Sequence, residues 1–355
     1  MNNRKGFMLG AGGLIGLIGV LLVKFGNPGN MGFCIVCFWR DIAGALGLHK
    51  APPVQYLRPE IIGLILGAFI LSLATKEFKP RGGSQSVVRF IMAVFMAIGG
   101  LVFLGCPLRM LLRLGNGDLN AVVGLAGFIS GILIGLQFLK RGYTLGRNHK
   151  ESKASGFIMP AFAITLLVFL LLRPAFIAFS SEGPGSMTAP IAVSLVAGLL
   201  VGALLQRTRI CSAGAFRDVF LIKDMHFLWG IIGILVVTIL GNLFITGSFH
   251  LGFEGQPIAH TNHLFNFLGL GLVGLTGVLL GGCPIRQTVL SGEGDSDAMI
   301  VVLGLIVGTA FAHNFGLAAS GDGVPVNGQI ATVIGYIVVL ALATLITMQA
   351  NRKGA

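Results

Sequence analysis

The sequence predicts an all-α integral membrane protein of about ten transmembrane helices, in two inverted five-helix repeats with short re-entrant half-helices. Three observations predict it: an apolar composition, a long-range internal repeat, and an odd number of spans in each half. Hydrophobic residues make up 54% of the 355 and charged residues 11%, with a mean hydropathy of +0.88. A soluble domain of that composition could not clothe itself in polar surface, so lipid must be its solvent. Long apolar windows run at about 7–23, 59–75, 88–105, 119–139, 157–179, 188–206, 227–246, 263–280, 298–318 and 328–349. Each approaches the roughly 20 residues needed to cross the hydrocarbon core. The first window lacks a small-residue cleavage site and reads as a retained span.

The repeat rests on polar residues. Gly105-Cys106-Pro107-Leu108-Arg109 returns as Gly282-Cys283-Pro284-Ile285-Arg286, an offset of 177 residues. At the same offset Asp118 falls on Asp295, Cys34 on Cys211, Arg40 on Arg217 and Asp41 on Asp218. With 54 Gly some glycine matches arise by chance, whereas matched Cys, Pro, Arg and Asp do not. Duplication with matched breaks in a membrane chain is the pattern of a transporter. The halves divide as 1–180 and 181–355, near the turn-forming Ser181-Glu182-Gly183-Pro184-Gly185.

Charge placement orients the chain. The net charge of +12 is spread through connections between spans, with no basic domain to grip a duplex, which excludes a nucleic-acid partner. Connections 180–187, 247–262 and 319–327 contain no Lys or Arg, whereas 76–89 and 140–156 are rich in both. The positive-inside rule then places both termini in the cytoplasm. The basic segment 24–58 falls outside on this scheme, which predicts that it dips back into the protein. Five spans per half invert the second repeat. Cys34 and Cys106 then belong to breaks opening outward, Cys211 and Cys283 to breaks opening inward.

Two motifs carry the chemistry. In Gly-Cys-Pro-(Leu/Ile)-Arg, Gly99 and Gly100 precede the first copy and Gly281 and Gly282 lie in the second, letting the chain turn. Pro suits the first turn of a new helix. Cys106 and Cys283 would then N-cap short helices over Pro107–Leu114 and Pro284–Leu290, where free N–H groups and the helix dipole favour anions. Irregular backbone at membrane depth must be buried or line a cavity, and Arg109 and Arg286 cannot face lipid. The plainer reading is a Pro-marked helix end with a small apolar Cys. The second motif, Cys34 with Arg40-Asp41 and Cys211 with Arg217-Asp218, reads as a re-entrant or interfacial half-helix. Its plainer reading is an interfacial helix whose Arg binds lipid phosphate.

Other signals are weaker. Cys37 has Gly214 as its repeat partner, and Cys34-Ile35-Val36-Cys37 is a lone C-x-x-C. Scattered His residues at unsuitable spacings give no metal site, and neither cofactor motifs nor a catalytic triad occur. His313 reads as a packing or cavity residue, while His250, His260 and His263 read as a solvated outer-loop group. Asp118 and Asp295 read as turn or cap residues. Gly127, Gly131, Gly304 and Gly308 form small-x-x-x-small packing faces.

With both Gly-Cys-Pro copies in view, the chain resembles the YeeE/YedE family of bacterial inner-membrane transporters, over nearly its whole length. The resemblance implies carriage of thiosulfate, and the length and early Phe-Cys-Ile-Val-Cys segment look like the selenium-associated branch. It also implies an hourglass of short helices entering from both faces, with cysteines along the narrow path. Carried over, the path residues are Cys106 and Cys283, with Cys34 the entrance thiol and Cys211 an extrapolation from the repeat. Expected partners are a small sulfur or selenium anion, the lipid bilayer and a small cytoplasmic sulfur-carrier protein. A soft sulfur can meet a thiol while helix N-termini hold its charge. Successive single thiols would bind weakly enough for release. The competing reading is an enzyme, a membrane thiol–disulfide oxidoreductase using Cys34 and Cys37; a scaffold or general anion channel is the third.

Overall fold

The protein is described here by a computed structural model covering residues 2–354. Among these residues the chain forms fourteen α-helices, with two-residue strands β1 (Arg81–Gly82) and β2 (His149–Lys150) pairing antiparallel. The first seven helices are α1 (Asn2–Lys24), α2 (Ile35–Ala45), α3 (Pro59–Ala74), α4 (Ser86–Val102), α5 (Pro107–Leu114), α6 (Leu119–Lys140) and α7 (Lys153–Leu172). The next seven are α8 (Ile191–Thr208), α9 (Ser212–Ile222), α10 (His226–Gly241), α11 (His263–Leu279), α12 (Pro284–Gly292), α13 (Ser296–Asn314) and α14 (Val326–Gly354). A π-helical turn, Asn242–Thr246, extends α10. Ten helical stretches are long and apolar enough to cross a membrane, so the chain is a multi-pass α-helical membrane protein.

The 177-residue offset survives in the element boundaries. Helices α2 and α4 coincide with α9 and α11 at both ends, and α5 and α6 share their starting positions with α12 and α13. Helix α5 spans the expected residues; α12 runs two residues beyond Leu290. The apolar window 157–179 overshoots, because α7 stops at Leu172. Arg173 turns left-handed (φ 47°) and Pro174 cannot continue the helix. Segment 24–58 does fold back into the protein, as its charge implied: every residue of α2 is buried.

The main helix interfaces join one half to the other. Helix α3 packs on α8, α1 on α10, α6 on α11 and α4 on α13. Glycine sets two of these contacts. A Cβ at Gly127 or Gly131 would run into the carbonyl oxygens of Phe267 or Gly271 on α11. At Gly304 and Gly308 it would meet those of Phe90 and Val94 on α4. The small-residue faces therefore act as expected, bringing backbones together where a side chain would hold them apart.

The irregular connections meet in sets. The Arg58 guanidinium Nη2 donates to the Pro184 carbonyl at 2.7 Å, and His250 N donates to the Asn116 carbonyl at 2.9 Å. Asn314 Nδ2 donates to the Leu48 carbonyl at 2.9 Å. Elsewhere Lys79 N and Arg81 N donate to the carbonyls of Glu293 and Gly294, and Gln206 Nε2 to Glu77 Oε2. Each contact joins connections that ten alternating spans assign to one end of the bundle.

Candidate functional site

The break after α4 is built by local geometry. Gly105 N reaches back to the Gly100 carbonyl at 2.7 Å, and Leu104 takes a left-handed conformation (φ 63°). The second copy repeats the lock: Gly282 N donates to the Gly277 carbonyl at 2.8 Å, with Gly281 at φ 78°. This six-to-one closure is a Schellman stop, and its left-handed position falls on Leu104 and Gly281 rather than on the earlier Gly99 and Gly100. Glycine at 105 and 282 has a different use. An added Cβ would crowd the Arg109 side chain at 2.9 Å and the Arg286 side chain at 3.2 Å. Pro107 and Pro284 occupy the first turns of α5 and α12, and Cys106 and Cys283 are their N-caps.

Cys34 and Cys211 N-cap the other two short helices, each accepting a first-turn amide: Cys37 N at 3.5 Å and Gly214 N at 3.4 Å. The four caps gather in twos. Ile35 N, the first amide of α2, donates to Cys106 Sγ at 3.3 Å. In the second half Cys283 N donates to Cys211 Sγ at 3.3 Å, with the two sulfurs 3.4 Å apart. All five cysteines are free and buried, none more than 6% exposed. The thiols thus stand in clusters and not singly along a line, which corrects the expectation of successive single thiols. The N-terminus of α2 needs acceptors for its free amides, and the buried Cys106 thiol supplies one for Ile35 N.

The arginines differ between halves. Arg109 is fully buried, and its Nε donates to the Asn30 carbonyl at 2.9 Å and Nη2 to the Ile258 carbonyl at 3.0 Å. Its Nη1 reaches the Leu104 carbonyl and, at 3.5 Å, Cys37 Sγ. Cys37, without a repeat partner, therefore joins the first cluster through Arg109. Arg286 instead pairs with Glu293 at 3.0 Å. Arg40 and Asp41 pair with each other at 2.7 Å, and Arg58 joins Asp41 at 2.7 Å from the other side, all three essentially buried. Their mates Arg217 and Asp218 pair at 2.7 Å, with Arg217 about 30% exposed.

Several contributors were not found by sequence reasoning. Arg58 lacks a repeat counterpart, so the offset could not reveal it. Arg113 forms a buried pair with Asp118 at 2.6 Å, and Trp39 Nε1 donates to Thr288 Oγ1 at 3.2 Å, tying α2 to α12. Asp118 and Asp295 are caps as expected, accepting from Asn120 N and Ala298 N, and Asp295 also binds Arg81 at 2.7 Å. His313 stacks on His49 with ring centroids 4.7 Å apart. The solvated histidine group needs correction. His250 and His263 are exposed, but His260 is 2% exposed, its Nε2 2.8 Å from the Val102 carbonyl and its Nδ1 accepting from Asn262 N. Burial lowers its pKa, so the ring is held neutral as a structural clasp. Among the described residues no three His, Cys, Asp or Glu side chains converge as a metal site.

Fold and site together define a polytopic helical membrane protein whose broken helices present thiols and arginines in its interior. Residues 207–351 match the model of a family described as sulphur transport, in keeping with the YeeE/YedE resemblance. That match contains Cys211 and Cys283 and leaves Cys34, Cys37 and Cys106 outside it. The chain is similar to the thiosulfate transporter TsuA of Spirochaeta thermophila, 36% identical over 109 residues, covering 31% of this chain and 32% of that protein. It is also similar to the thiosulfate transporter TsuA of Escherichia coli, 29% identical over 108 residues and 30% of each chain. The matched stretches thus span about a third of the length of these curated relatives.

Proposed function

We propose that this protein takes up a small sulfur-containing anion, thiosulfate or its selenium analogue, through a path lined by Cys34, Cys106, Cys211 and Cys283. The observation that carries the reading is the repeated pair of thiol clusters at four helix N-termini, in a chain whose second half matches a sulphur transport family. Amides and arginines would hold the charge, and thiols would meet the soft terminal sulfur. The relatives named as thiosulfate transporters make thiosulfate the first substrate to test.

The reading includes an inner-membrane protein with two inverted repeats, 1–180 and 181–355, and cytoplasmic termini. The contacts between alternate connections support the alternation, and the Lys and Arg bias supports the orientation. A small cytoplasmic sulfur-carrier protein would receive the anion at the second-half mouth. Cells expressing the chain should accumulate labelled thiosulfate or a selenium analogue above control cells; no accumulation of either would overturn the reading. Impermeant thiol reagents added outside should label Cys34 before Cys283, and labelling of both from one side only would sink the inversion.

One geometric fact favours redox chemistry, though at another pair than the expected Cys34 and Cys37: the 3.4 Å approach of the Cys211 and Cys283 sulfurs. A redox cycle requires a disulfide during turnover, whereas a carrier requires thiols. Uptake should therefore survive strong reductant, and Cys37→Ala should retain much of its activity. Loss of uptake in Cys37→Ala, with a Cys34–Cys37 disulfide in untreated membranes, would favour the enzyme.

A further inference from the structure

The repeat that matches Cys34 and Cys106 with Cys211 and Cys283 leaves the charges unequal. At the first cluster Arg109 has carbonyls and a thiol around it and, among the described residues, no carboxylate within ion-pair distance. At the second cluster the equivalent Arg286 is compensated by Glu293 at 3.0 Å, both largely buried. The repeat position of Glu293 in the first half is Asn116, which carries no charge and accepts from Ser248 Oγ at 3.0 Å. The first cluster also has a third thiol, Cys37, where the second has Gly214.

We infer that Glu293 makes the two mouths unequal, weakening anion binding beside Arg286 relative to the site beside Arg109. The inference rests on the anion-transport reading above and assigns Glu293 a positioning and specificity role that the repeat cannot supply. A buried arginine without a carboxylate is satisfied best by an incoming anion, because its charge is otherwise balanced only by dipoles. Once paired, the guanidinium offers an anion less attraction and sets a like charge beside it. Two identical sites would saturate alike from either mouth, whereas unequal sites saturate at different concentrations from the two sides while the ion's own gradient fixes the direction of net flow.

The test uses the full-length protein in liposomes, with orientation fixed by protease sensitivity and labelled thiosulfate offered from each side in turn. Wild type should half-saturate at a lower concentration from the first-half mouth than from the second. Glu293→Gln should tighten the second mouth by roughly tenfold, the scale of one removed charge near a partly buried site. It should also lower the maximal rate of release. Glu293→Asp, which keeps the charge, should restore the wild-type ratio. If Glu293→Gln fails to fold, Arg286→Gln/Glu293→Gln removes both charges, and its second mouth should stay weak for want of the guanidinium. Transport by Glu293→Gln with an unchanged ratio of the two mouths would overturn the inference. Failure of wild type to transport any sulfur or selenium anion would instead overturn the reading beneath it.

Discussion

Cys106→Ala and Cys283→Ala should each reduce uptake to roughly one-hundredth of wild type or less, while the protein still inserts and folds. Each cysteine stands at the N-cap position of a short helix with its thiol in a buried cluster, so an anion losing that partner would have little to replace it. Folding should tolerate the change because neither sulfur is a cap acceptor within its own helix and Ala fits the space a Cys side chain leaves, although Cys106→Ala also removes the acceptor of Ile35 N and costs about 1–3 kcal/mol there. Uptake measured beside the amount of folded protein in the membrane separates the two effects. Wild-type rates in both variants would reduce the thiols to packing and remove the path.

Asp41→Ala should be the most damaging change to stability outside the thiol clusters, at about 3–5 kcal/mol. Asp41 holds Arg40 on one oxygen and Arg58 on the other, and its loss strands two buried guanidiniums in the protein interior. Asp218→Ala, at the repeat position, should cost only about 0–1 kcal/mol, since Arg217 is partly exposed and can turn to water. Thermal unfolding of the detergent-purified variants compares the two. Equal losses would mean that the second pair is as buried in the functioning protein as the first.

How much of this was legible in the sequence follows from what a repeat can encode. Helix starts after Cys-Pro, the caps at Asp118 and Asp295 and the glycine faces were readable, because each depends on local chemistry written at a fixed spacing. The clustering of thiols was not. It depends on how the start of α2 is brought to Cys106, 71 positions along the chain from Ile35, which no local signal specifies. Arg58 and Glu293 were missed as site members for the opposite reason: each breaks the repeat, and attention to matching positions passes over the positions that differ. Cys37 visibly breaks the repeat in the sequence, but its place beside Arg109 was not legible. His260 does lie in a loop but is not solvated, because its partner is the Val102 carbonyl 158 residues away at the end of α4.

The glycine-lined interfaces bear on how such a molecule can move. Helix α6 lies against α11 and α13 against α4, backbone to backbone, so that the two halves are clasped like the fingers of two hands. One half cannot swing as a rigid arm against the other without prising apart several of these close-fitting seams at once. On the transport reading, motion that passes an ion from one cluster to the other would therefore fall to the lightest parts, the eight- to eleven-residue helices α2, α5, α9 and α12 and the turns that aim them. Such a device would work as a fixed frame with small hinged shutters. Its speed would be set by the rotation of a few side chains and short helices rather than by the travel of a domain.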